Sequence, residues 1–167
     1  LAEVPLYMQP GTRWFYSWSN DVLGAVVEAA SGRPLDIYME AQIFEPLGME
    51  ATGFYLEAEA DRSQLATVYT HAEDGSLIPR IVAGEALEGP QAFQVPAGGA
   101  GLVSTAEDYM RFALMLAGGG ALDGVRVIEA DTLAAMTADQ LAPGQHLPDA
   151  PGMGYGYGFG VALPVEH

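Results

Sequence analysis

The sequence predicts an α+β chain, mostly helical, with a short β-hairpin and a C-terminal strand. Three observations predict it. Apolar residues recur at helical spacing in two stretches: Leu23, Val26, Val27 and Ala30, then Tyr109, Phe112, Ala113 and Leu116. Asp74-Gly75, a hairpin turn pair, separates Ala66-Thr67-Val68-Tyr69-Thr70 from Ser76-Leu77-Ile78, and the first of these is rich in strand-forming residues. Near the end, Tyr155, Tyr157, Phe159 and Val161 alternate with Gly156, Gly158 and Gly160, the two-residue period of a strand.

Residues 1–9 show neither a cap nor a clean period and read as the tail of an element. Pro10-Gly11 is a turn pair. Trp14, Phe15, Tyr16 and Trp18 then crowd into five residues, flanked by Ser17, Ser19 and Asn20. Ser19 or Asn20 is expected to cap the first helix, with Asp21 favourably placed at its positive end. Ser31-Gly32 ends it, since glycine takes the left-handed conformation without strain.

Pro34 suits the first turn of a second helix, lined by Leu35, Met39 and Ile43, extended by Tyr38, and ended by Pro46 and Gly48. Glu57, Glu59 and Asp61 form an acidic loop; no histidine joins them, so a solvated face is expected and not a metal site. His71, Glu73 and Asp74 could be sketched as metal ligands, but one histidine beside a turn reads as polar turn chemistry. Residues 82–97 have no sustained period and carry Pro90 and Pro96.

Gly98-Gly99-Ala100-Gly101 lacks the Gly-Lys-Ser/Thr ending of a phosphate loop, and reads as a tight lead into the next helix. Ser104, with Glu107 three residues on, forms a capping box there. As a nucleophile Ser104 has no histidine or lysine placed to activate it. Met110, Leu114 and Ala117 widen the apolar stripe of the helix over 105–117, which implies burial, and Gly118-Gly119-Gly120 ends it. Val125 to Ile128 is extended, 132–139 is a short helix with Leu133, Ala135 and Met136 inward, and 142–152 is a connector rich in proline and glycine.

The 167 residues suit one domain, and 50% of them are hydrophobic, enough for a packed core. Acidic residues outnumber basic ones 22 to 6, a net charge of −16, which disfavours nucleic acid and anionic membranes as partners. No run of eighteen apolar residues exists, so no membrane span is expected. Cysteine is absent, which removes disulfides and thiolate sites and leaves the compartment open. No cofactor and no metal is implied. All six basic residues are arginines.

From Pro10 to Gly32 the chain reads PGTRWFYSWSNDVLGAVVEAASG. This string resembles the second motif of the serine β-lactamase-like hydrolases, the family of class C β-lactamases, DD-peptidases and related carboxylesterases. Three later segments agree with that family in order: Ile43-Phe44-Glu45-Pro46-Leu47-Gly48-Met49, the stretch Gly98 to Asp108, and the glycine-aromatic strand Gly154 to Val161. The resemblance implies a β-lactamase/transpeptidase-like fold, with 1–152 as its helical region and 153–167 as a strand of the same domain's sheet. It also makes Tyr16 the catalytic tyrosine and Ser17 and Trp18 substrate-binding residues. Trp18 stands where the family often has asparagine, which is closer to its esterase-like branch.

The family's nucleophile lies in Ser-x-x-Lys, and none of the six serines here is followed three residues later by lysine. The expectation is therefore a middle fragment of a longer serine hydrolase, inactive by itself. The intact enzyme would act on a small ester, amide or lactam through an acyl-enzyme. By the same resemblance 82–97 walls the substrate cleft. A strand parted from its sheet makes self-association through exposed surfaces a hazard.

Acyl transfer needs a base for the nucleophile's proton and an acid for the leaving group. A free phenol, with a pKa near ~10, is a poor base at neutral pH unless cations favour phenolate. Arg13 is the one cation close to Tyr16 in sequence. Two other readings remain: a noncatalytic, ligand-binding member of the same fold, and a carboxylate-driven glycosidase or metal enzyme, for which the acidic residues are spread along the chain.

Overall fold

The computed structural model describes residues 3–55, 64–67, 69–79 and 96–143, and the backbone of 155–157 and 162–164. The acidic loop with Glu57, Glu59 and Asp61, most of the 82–97 loop, the connector beyond 143, and Phe159 and Val161 lie outside the described residues.

The first turn follows its residues. Gln9-Pro10-Gly11-Thr12 closes with the Thr12 amide on the Gln9 carbonyl at 3.3 Å, and Gly11 supplies the positive φ of 78°. Helix α1 spans Ser19–Ser31 and ends at Gly32, whose left-handed backbone returns its amide to the Glu28 carbonyl at 2.8 Å. The expected caps are not used. Trp18 holds the cap position without a side-chain hydrogen bond, and the Ser19 hydroxyl pairs with Ser17 at 2.7 Å.

Pro34 precedes the second helical stretch as its cap residue and does not sit in its first turn. The Glu28 carboxylate accepts the Leu35 amide at 2.9 Å, satisfying a donor at the start of α2 (Leu35–Met39). Residues Glu40–Phe44 then widen into a π turn, and α3 (Glu45–Leu47) follows with Pro46 inside it. Pro46 does not end the helix. The wider turn lies just before the ring that would otherwise crowd the carbonyl four residues back. Gly48 (φ 63°) stops the stretch: its amide reaches Glu45 at 3.1 Å and that of Met49 reaches Phe44 at 2.9 Å, a Schellman closure that sets Met49 against Phe44.

Strands β1 (Tyr69–His71) and β2 (Leu77–Pro79) form the expected antiparallel hairpin, with Thr70 opposite Ile78 and Gly75 left-handed in the loop. The Ser76 hydroxyl and amide both donate to Asp74, at 2.6 and 2.9 Å, and hold its carboxyl below the usual carboxylate range.

Helix α4 spans Ala106–Ala117 and closes through Gly119 and Gly120. A second hairpin follows: β3 (Ala121–Leu122) and β4 (Val125–Arg126) are joined by Asp123 (φ 51°) and Gly124 (φ 83°). Only Val125 and Arg126 of the expected extended segment are in the strand. Helix α5 runs Ala130–Met136, starting before the expected 132; Leu133 and Met136 are half-buried, but Ala135 is exposed. At the end, β5 (Tyr155–Tyr157), within the expected glycine-aromatic strand, pairs antiparallel with β6 (Ala162–Pro164).

The core gathers Phe44, Leu47, Met49 and Met115, with Met39, Ile43, Phe112, Leu116, Leu122, Val127 and Ile128 packed around them. It therefore joins the 35–49 stretch to one side of α4 and to the second hairpin. The apolar faces predicted for α1 and for the rest of α4 are not covered among the described residues: Leu23 and Val26, and Tyr109, Met110 and Leu114, are each half exposed or more. No described helix is long and apolar enough to cross a membrane.

Candidate active site

Tyr16, Ser17 and Trp18 lie where the chain turns into α1. The Trp18 carbonyl accepts the amides of Asp21 and Val22, at 3.1 and 3.3 Å, which ties this triplet to the first turn of the helix. The Ser17 hydroxyl is held by Ser19. Tyr16 and Trp18 project into solvent, 80% and 70% exposed, and the Tyr16 ring leans on Trp14 with centroids 6.3 Å apart. The surrounding segment is aromatic as well: Tyr7 and Phe15 pack at 5.1 Å.

Arg13 is engaged elsewhere. Its guanidinium lies 5.8 Å from the centre of the Tyr7 ring, and its Nε donates to the Met8 sulfur at 3.2 Å. Among the described residues, no group of three His, Cys, Asp or Glu side chains could hold a metal ion.

The glycine loop is brought to this same helix end. Gly98 packs against the backbone of Asn20 and Gly24, and the space beside Gly99 is taken by the Asp21 carboxylate, 2.8 Å from where a β-carbon would stand. The two segments that carry most of the resemblance, 10–32 and 98–108, thus meet at the first turns of α1. No spacing along the chain announces that contact.

Ser104 is committed to structure. Its hydroxyl pairs with Thr52 at 2.7 Å, and Thr52 gives its own proton to the acceptor-only Asp108 carboxylate at 2.8 Å, so Ser104 donates to Thr52. Ser104 does not cap α4 as the sequence suggested. Thr105 does, accepting the Asp108 amide at 3.2 Å. Asp108, buried, also accepts the Ala51 amide at 2.9 Å, and the Gly53–Val103 bridge lies beside it in the chain. The missed signal was Thr105-x-x-Asp108, a capping pattern one residue along from Ser104-x-x-Glu107.

Known proteins resemble the chain over most of its length. Protein Rv1367c of Mycobacterium tuberculosis is 39% identical over 148 residues, covering 87% of this chain and 35% of that protein. Esterase EstB of Burkholderia gladioli is 38% identical over 127 residues, covering 66% of the chain and 31% of the esterase. Simvastatin synthase (LovD) of Aspergillus terreus, 23% identical, superimposes with a TM-score of 0.82 over 98% of this chain and 43% of its own, which shows a shared fold. The chain spans about a third of the length of the curated relatives it matches. The family model for Beta-lactamase matches residues 1–166, and the chain belongs to that family of hydrolases, which includes esterases.

Proposed function

We propose that this chain is the tyrosine-bearing part of a serine hydrolase that cleaves a small ester or amide through an acyl-enzyme. Tyr16 is its acid–base phenol, and Ser17 and Trp18 border the substrate. The observation that carries this reading is the placement of Tyr16: the residue is 80% exposed just before α1 with its ring against Trp14, and the Gly98 loop packs on the first turns of that same helix. The esterase relative supports ester over lactam as the substrate bond, as does Trp18 in place of a polar side chain.

The 167 residues contain no lysine and no Ser-x-x-Lys. Nucleophile and ammonium group therefore come from polypeptide outside them, and the chain alone turns over no substrate. Incubation with a chromogenic short-chain ester and with a penicillin, followed by intact mass measurement, tests this. The expected outcome is no turnover and no added mass, whereas a stable acyl adduct on the isolated chain overturns the reading. In a longer enzyme containing this stretch, Tyr16→Phe should lower kcat by roughly 10²–10⁴, the range of general acid–base catalysis.

A further inference from the structure

The glycine loop that meets helix α1 is held at both ends. At its start Ala97 and Ala100 bridge each other, and Gly98 has no room for a side chain because the Asn20 carbonyl stands there. At its far end Val103 and Gly53 exchange amide–carbonyl bonds of 2.9 and 3.0 Å. Gly53 is fixed in turn. The two residues before it, Ala51 and Thr52, both donate to one oxygen of buried Asp108, at 2.9 and 2.8 Å, and Ser104 donates to the Thr52 hydroxyl at 2.7 Å. The Asp108 carboxylate is not spent on capping α4, which Thr105 does. One carboxylate oxygen therefore sets where 51–53 lies, and 51–53 sets where the loop leaves.

We propose that Asp108, Thr52 and Ser104 are positioning residues for Tyr16. Their network clamps the exit of the glycine loop, and the loop seats on the backbone of Asn20 and Gly24. The Trp18 carbonyl, bonded to the Asp21 and Val22 amides, carries that seat back to Tyr16 two residues earlier. Beyond the clamp itself every link is backbone, so a shift at Asp108 meets no long side chain that could absorb it. Misplacing a catalytic group by about 1 Å, even from far away, can cost roughly a hundredfold in rate. The inference rests on the acid–base role proposed for Tyr16 and adds what fixes the place of that phenol.

The test uses a longer enzyme containing this stretch, a chromogenic short-chain ester, and amide exchange read by mass spectrometry. Thr52→Val, which ends both hydroxyl bonds, should lower kcat by roughly 10- to 100-fold with KM little changed. Amides of 98–103 and of the first turn of α1 should then exchange at least about tenfold faster. Asp108→Asn keeps an oxygen able to accept from both Ala51 and Thr52, so it should retain most of kcat, whereas Asp108→Ala loses as much as Thr52→Val. Arg126 holds the Gly119 and Ile128 carbonyls at the opposite end of α4, and Arg126→Ala should lower the melting midpoint while leaving kcat as it was. In a Tyr16→Phe background, Thr52→Val should cost kcat nothing further.

A loss with Tyr16→Phe but none with Thr52→Val overturns this inference and leaves the reading of Tyr16 standing. Losses that add in the double variant, or an equal loss with Arg126→Ala, overturn it by showing general destabilisation. An Asp108→Asn enzyme as slow as Asp108→Ala, or a fall in kcat with exchange in 98–103 and α1 unchanged, overturns it as well. Should Tyr16→Phe itself lose nothing, the reading of Tyr16 falls and takes this inference with it.

Discussion

Gly24 and Gly98 meet backbone to backbone: a β-carbon on Gly24 would lie 3.2 Å from the Gly98 amide nitrogen, and one on Gly98 would be driven into the Asn20 carbonyl. This contact lets the glycine loop sit on the helix that begins beside Tyr16. Gly98→Ala should therefore destabilise the chain by about 2 kcal/mol, the size of an overpacking penalty with backbone on the far side. Gly53→Ala, where a β-carbon meets nothing within 4 Å, should be neutral or slightly stabilising. Urea midpoints of the two variants check the contrast.

The link between 51–53 and α4 predicts an order of losses. Asp108→Ala leaves the Ala51 amide and the Thr52 hydroxyl without their acceptor inside the fold, a loss of about 3 kcal/mol. Thr105→Ala removes the cap and should cost about 1 kcal/mol. Ser104→Ala should cost less than either, because Thr52 keeps its bond to Asp108. Thermal or chemical denaturation of the three variants gives the order. A larger loss at Ser104 than at Thr105 would contradict the capping assignment.

Arg111 joins α4 to the end of α3. Its Nε donates to the Leu47 carbonyl, an orphan acceptor at a helix end, and its Nη2 lies 3.3 Å from Asp123 Oδ2. The ion pair is largely solvated, with the Asp123 side chain 71% exposed, and adds little. Asp123→Asn, which keeps the tolerance for a left-handed backbone, should change stability by less than about 0.5 kcal/mol. Arg111→Ala should cost about 1–2 kcal/mol through the lost carbonyl bond. Comparison of denaturation midpoints separates the two contributions.

Tyr55 should titrate above the ordinary tyrosine value of 10.0. Partial burial is the first cause, followed by the negative charge of Asp36 and then its hydrogen bond, all of which favour the neutral phenol. A raised folded-state pKa gives a stabilising contribution that is complete below pH 10.0 and is lost as pH rises through the shifted value. Ultraviolet difference titration against Tyr55→Phe measures the shift. Asp36→Asn should lower it part of the way, since burial remains.

The sequence by itself determined the local elements and the family. Helical stretches ending at Gly32, Gly48 and the 118–120 glycines, and a hairpin at Asp74-Gly75, are written in propensity and turn chemistry that act over a few residues. Asp123-Gly124 carried the same turn signal as Asp74-Gly75, yet its flanking strands are two residues each, too short to show a period. Only the tertiary structure decided which side of each helix faces the chain. It seats Gly98 on α1 and takes Asp108 to Thr52, 56 residues away, pairings between distant segments that leave no spacing to read. Periodicity could say that Leu23 and Val26 share a face, but not that it would lie open, because a stripe records what a helix can bury and only the surrounding chain supplies the cover.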